Sequence, residues 1–378
     1  MQRFRLGAVF GAFIAAAIVT NAIAANPSNP GTKRPQVQLA LLLDTSNSMD
    51  GLIEQAKSEL WRIVNELIAA RQNGVAPELH VALYEYGNNG LSKESGWIRM
   101  VSPLTTDLDK ISEELFKLRT NGGQEYCGQV IQRAVKDLSW STSGDALKMI
   151  VIAGNEPFSQ GPVDYRKACK AAIAKGIMVN TIHCGPGIPE DWREGALLAD
   201  GKAMNIDQNQ KVVHVDAPQD KEIARLGEEL NKTYVAFGKE GQAGLSRQAA
   251  QDANAVNQSV GSAVERSRSK ANAFYCNDSW DLVDAVCNNK VDLTKLKDDD
   301  LPENLKKMSL DERRAYIDSQ LKCRHEIQAQ VNELHKQRQA YVTEKTKELA
   351  KKGDKTLDQA IIGAIRAQAT GKKFSFEN

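Results

Sequence analysis

Residues 44–48 read Asp-Thr-Ser-Asn-Ser. One carboxylate, Asp44, and two hydroxyls, Ser46 and Ser48, thus fall in a single short stretch. All three are hard oxygen donors. Hydroxyls are weak ligands, so such a set suits a partly hydrated Mg²⁺ (or Mn²⁺ or Ca²⁺) that keeps a position for an outside group. The competing use of an Asp/Ser cluster is a plain helix cap. Other chemistry finds little support. No His/Cys set has zinc spacing, and neither a nucleophile elbow nor a phosphate loop occurs. His183 and Cys184 are neighbours on an expected strand, where they point to opposite faces and cannot form a dyad. The chain is therefore expected not to be an enzyme.

The elements around this stretch decide whether it is a site. Residues 36–43 (QVQLALLL) are apolar enough for a strand buried on both faces. Residues 51–70 follow with helical spacing: Leu52, Ala56, Leu60, Ile63, Val64, Leu67. Further strands are expected at 79–86, 96–101, 147–153, 177–184 and 233–237. Helices are expected at 107–118, 126–138, 163–175 and 220–231. Strands alternating with helices imply crossovers onto a mostly parallel sheet. The fold class expected is α/β, a doubly wound Rossmann-like sheet over residues 34–238, whose ligands collect where loops leave the carboxyl ends of the strands.

The strand–loop–helix setting of Asp44-Thr45-Ser46-Asn47-Ser48 resembles the von Willebrand factor A family and its metal-ion-dependent adhesion site. The resemblance covers about residues 34–238. It implies a metal held by this loop, by a threonine from a second loop and by an aspartate from a third, with a partner's carboxylate completing the shell. The second loop falls at 121–125 (NGGQE), where Glu125 takes the threonine's place. The third falls at 153–157 (AGNEP), where Gly154 takes the aspartate's place. Either Asn155 or Glu156 substitutes, or the charge has moved from the third loop to Glu125, which is the preferred reading. The set implied is Asp44, Ser46, Ser48, Glu125 and Asn155. A degenerate site with no metal is the alternative. More loosely, the chain resembles exported bacterial proteins that join such an A domain to a helical, coiled-coil C-terminal region.

The remainder reads as all-α. Residues 239–307 suggest a helical linker and a small packing element around Trp280. Residues 308–378 suggest a long helix and a tail. In the long helix Leu310, Ile317, Leu321, Ile327, Val331, Leu334 and Tyr341 recur at three, four and seven with one skip. This fits an interrupted coiled-coil stripe on a helix of about 42 residues or a hairpin packed on 241–272. Ser309 and Glu312 suggest a capping box at its start.

The chain has 378 residues, 42% hydrophobic, with 49 basic and 48 acidic side chains and a net charge of +1. That balance gives no field to gather nucleic acid. Residues 1–24 have a basic start, an apolar run and Ala22-Ile23-Ala24. They read as a signal peptide, followed by a Pro-rich linker at 25–33. The expectation is a periplasmic or secreted protein with no membrane span after cleavage. There its six cysteines meet oxidising conditions. Cys127–Cys184 and Cys276–Cys287 are the bridges expected. Function is expected to be binding of a protein partner through the metal, with that partner's acidic side chain as the candidate ligand and a homo-oligomer through the long helix left open. The alternative is a metal-free scaffold of the cell envelope acting through its coiled-coil half.

Overall fold

The computed structural model describes residues 34–209, 215–272, 274–349 and 357–376. The expected signal peptide and linker lie outside them. In chain order the elements begin β1 (Gln36–Asp44), α1 (Asp50–Ala69), β2 (Ala70–Gln72), β3 (Glu78–Tyr86), β4 (Ile98–Thr105), α2 (Leu108–Lys117), α3 (Cys127–Asp137), β5 (Leu147–Gly154), α4 (Tyr165–Ala174), β6 (Ile177–Cys184), α5 (Glu190–Leu197) and β7 (Ala203–Ile206). They continue with α6 (Asp220–Asn231), α7 (Gly241–Gln258), α8 (Val260–Lys270), α9 (Leu282–Cys287), α10 (Glu303–Lys306), α11 (Leu310–Leu349), α12 (Leu357–Gly371) and β8 (Phe374–Phe376).

The main sheet runs β4-β3-β1-β5-β6-β7. Only β4, at one edge, is antiparallel to its neighbour. β1 is central and buried from Val37 onward, because helices cover both of its faces. Side chains alternate across the strand. Val37, Leu39, Leu41 and Leu43 join a core with α1, α2 and α12. Ala40 and Leu42 join a second core with α3, α4 and α5. Register then sets the working edge: Asp44 pairs with Tyr86, and Leu43 with Ala153. The ends of β1, β3 and β5 therefore stand level. The doubly wound α/β class and the helical C-terminal region with its long helix are as expected.

Residues 233–237 are not a strand. Tyr234 and Val235 are buried among helices, and Ala236 makes a single antiparallel bridge to Asp281. The short β7 forms that sheet edge instead. Residues 241–270 form two helices. Ser259 is extended (φ −173°) and its hydroxyl accepts from the Ser262 N–H at 3.0 Å, capping α8.

The helices beyond residue 238 pack closely on the sheet domain. Arg266 of α8 donates to Asp109 of α2 at 2.6 Å and to Asp252 of α7 at 2.7 Å. Its guanidinium lies 4.3 Å from the Trp61 ring centre on α1. The α12 residues Leu357, Ile361 and Ile365 enter the core beneath α1, and β8 pairs with β2. α11 begins with the expected capping box: the Ser309 N–H donates to Glu312 Oε2 at 2.7 Å and the Glu312 N–H to Ser309 Oγ at 3.4 Å. Its stripe is covered within the chain rather than left as an open coiled-coil seam. Ile327 and Val331 pack with Ile223 and Leu226 of α6, and Ile317 packs with Leu282 and Val283 of α9.

All six cysteines are free thiols, so neither expected bridge is formed. Cys184 belongs to the core on one face of the sheet and Cys127 to the core on the other. Their expected place near the same edge of the sheet does not bring them together. Cys276 instead receives the Asn288 amide at 3.0 Å. Among the described residues no helix is long and apolar enough to cross a membrane.

Candidate metal site at the carboxyl edge of the sheet

Asp44 ends the central strand β1, which is buried from Val37 onward, and is itself fully buried. Its Oδ1 accepts the Ser46 backbone N–H at 2.8 Å, which curls the chain into α1. Its Oδ2 is buried and has no hydrogen-bond partner. That arrangement is costly for a carboxylate. Burial pushes the Asp44 carboxyl up to about 7, the Ser46 hydrogen bonds pull it down, and the charges of Glu125 and Glu156 raise it further. The Ser46 and Ser48 hydroxyls lie 3.3 Å apart. The loop therefore faces outward with its oxygens side by side, as the spacing suggested.

Glu125 reaches the same place from the second loop. It is buried, and its backbone N–H donates to Gln160 Oε1 at 2.6 Å. Burial raises its carboxyl to about 7, with the Glu156 charge adding to the shift and the Ser46 hydroxyl opposing it. The convergence of the two acids shows at Gly87, directly after β3. A β-carbon there would stand 2.7 Å from Asp44 Oδ1 and 2.9 Å from Glu125 Cγ. Gly87 also has φ +80°, so glycine is required twice over.

The third loop explains its missing aspartate. A β-carbon on Gly154 would meet the Tyr86 hydroxyl at 2.5 Å and Asp44 Oδ2 at 3.0 Å. Tyr86 is fully buried and donates to the Ala153 carbonyl at 3.0 Å. Its ring fills the space that a third-loop side chain would need. Asn155, one residue on, does join the site: its amide donates to Ser48 Oγ at 3.1 Å, while its Oδ1 is buried without a partner.

All five expected residues are thus gathered at one edge. Sequence reasoning gave Tyr86, Gly87 and Gln160 no part in this site. The signal for Tyr86 was present, since it ends the strand that pairs with the Asp44 strand. Among the described residues no three His, Cys, Asp or Glu side chains form a metal cage. The donors here are two carboxylates with hydroxyl and amide oxygens. That set fits a hard divalent ion, and the partnerless Asp44 Oδ2 is the atom such an ion would satisfy.

A central, mostly parallel sheet, helices on both faces and an Asp-x-Ser-x-Ser loop at the carboxyl edge define a doubly wound α/β domain. A sequence model of the family described as von Willebrand factor type A domain matches residues 38–214, and this part of the chain is such a domain. No curated protein matches the sequence. Among solved structures, the protein BatB from Bacteroides thetaiotaomicron is 20% identical, covering 45% of this chain and 90% of that one at a TM-score of 0.34. The SpRpn10 VWA domain is 19% identical, covering 47% and 100% at 0.36. Proximal thread matrix protein 1 from the mussel byssus, described with a zinc-occupied MIDAS motif, is 10% identical, covering 46% and 41% at 0.34.

Proposed function

We propose that the A domain is a metal-dependent protein-binding module. Domains of this family are interaction modules and are generally not enzymes. Asp44, Ser46, Ser48 and Glu125 would hold a divalent ion, Mg²⁺ or a similar hard cation, with Asn155 steadying Ser48. When bound, the ion supplies a Lewis-acidic point to which a partner's oxygen attaches. The observation that carries this reading is the fully buried Asp44 Oδ2 with no partner, placed level with a second buried carboxylate. Such a pair is unfavourable without a cation and favourable with one. The protein's own groups perform the rest. The Ser46 N–H orients Asp44, Gln160 holds the Glu125 backbone, and Tyr86 closes the floor. Export, expected from residues 1–24, belongs to the same proposal.

Calorimetric titration of the full chain with Mg²⁺ and with Mn²⁺ tests it. Binding by the wild type and its loss in Asp44→Ala and Glu125→Ala are expected. Unchanged binding in Glu125→Ala discards the transfer of charge from the third loop to the second.

A further inference from the structure

We propose that the partner group completing the shell at this site is a neutral oxygen, an amide carbonyl or a hydroxyl, and not a carboxylate. The inference rests on the metal-dependent reading above and departs from the acidic ligand that the family resemblance implies.

The first ground is charge. Asp44 and Glu125 converge on Gly87 from two loops. Together they neutralise a divalent ion. Glu156 bears on both of them with a third negative charge. An arriving carboxylate would therefore meet a filled site of net negative sign, whereas a neutral dipole would meet only the ion's open position.

The second ground is the rim. Several amide side chains stand there beside Glu156 and Ser48. A β-carbon on Gly122 would lie 3.5 Å from both Asn47 Nδ2 and Asn89 Nδ2. Asn155 donates to Ser48 Oγ and leaves its own Oδ1 unpartnered. Asn47, Asn89 and Asn121 are exposed. Amides both donate and accept, which matches amide or hydroxyl groups on a partner. A carboxylate would be served by arginine or lysine, and none of these amide positions supplies one. The third ground is independent of any count of charges: the buried, partnerless Asp44 Oδ2 faces the third loop and marks this as a place made for a ligand.

The test uses the full chain, Mn²⁺ as ion and acetate as a carboxylate probe, read by water-proton relaxation of bound Mn²⁺. For the wild type, Mn²⁺ affinity in about 100 mM acetate should stay within about twofold of that in chloride at equal ionic strength, since a ligand without preference for the loaded site shifts nothing. In Glu125→Thr, whose hydroxyl keeps a weak oxygen donor where Glu125→Ala leaves none, and with Glu125→Gln as the near-isosteric check on folding, acetate should tighten the weakened Mn²⁺ binding by at least about threefold, because it now completes the shell. Equal tightening in the wild type overturns the inference and leaves the metal site standing. No Mn²⁺ binding by the wild type overturns the metal-dependent reading, and the inference falls with it.

Discussion

The Tyr86 hydroxyl lies 2.5 Å from the point where a β-carbon on Gly154 would stand. The strand end where a third-loop acid would stand is thus sealed by a ring from its second neighbour in the sheet. Gly154→Ala should cost about 1–3 kcal/mol through overpacking, and Gly154→Asp should cost more because its charge would sit beside Asp44. Thermal or urea unfolding of the two variants measures this. A Gly154→Asp chain as stable as wild type would show that Tyr86 yields easily.

Metal should act as a folding ligand. A bound ion at about 100 times its Kd stabilises by about 2.7 kcal/mol, so Mg²⁺ should raise the Tm of the wild type. In Asp44→Asn the metal-free protein should be at least as stable as wild type, because a buried and partnerless carboxylate oxygen has been made neutral. Its Tm should no longer respond to Mg²⁺.

Arg266 is the buried cation that joins α8 to α2 and α7. Removing it leaves the buried Asp109 and the half-buried Asp252 with reduced pairing, so Arg266→Ala should destabilise by about 3–5 kcal/mol. The companion Asp109→Asn should cost less, since Asp252 still serves the guanidinium. Denaturant unfolding separates the two.

The pH profile should carry the mark of Glu59. Burial pushes its carboxyl from 4.5 up to about 7, and the Asp358 charge adds to this against Arg62. Between those values the folded chain holds a proton that the unfolded chain releases. Its contribution is present below 4.5 and is lost as pH rises through 7. His335 has the opposite sign: burial lowers it from 6.5 to about 4, so stability is lost as pH falls from 6.5 through 4. Relative to wild type, Glu59→Gln should gain up to about 3 kcal/mol on going from about pH 4 to about pH 8. Unfolding followed across that range checks it, and parallel curves for the two proteins would exclude a perturbed Glu59.

Ile361 on α12 is buried in the core beneath α1. Ile361→Ala should cost about 2–5 kcal/mol and lower the melting of the whole molecule in a single transition. A separate early transition, with the sheet domain melting as before, would contradict this shared core.

Much of this was legible in the residues. The apolar run into Asp44 places the loop, and Ser309 with Glu312 places the start of α11. Other parts were hidden for physical reasons. Residues 233–237 have strand-like composition, but Tyr234 and Val235 find their burial among helices. β7 is four residues long, and AMNI is too short a run to stand out from a loop. Cys127 and Cys184 are both expected near the carboxyl edge, yet they lie on opposite faces, and helix placement rather than spacing decides that. The role of Tyr86 depends on strand order, because the ring is placed by a pairing between residues 42 positions apart.

The α12 and β8 segment has a consequence for how the chain acquires its form. Leu52, Leu60 and Leu67 share a core with residues 357–374, so a growing polypeptide cannot finish packing its first helix until some three hundred later positions have left the ribosome. Contacts so distant in order of synthesis form slowly. Such delay keeps the nascent chain loose for longer.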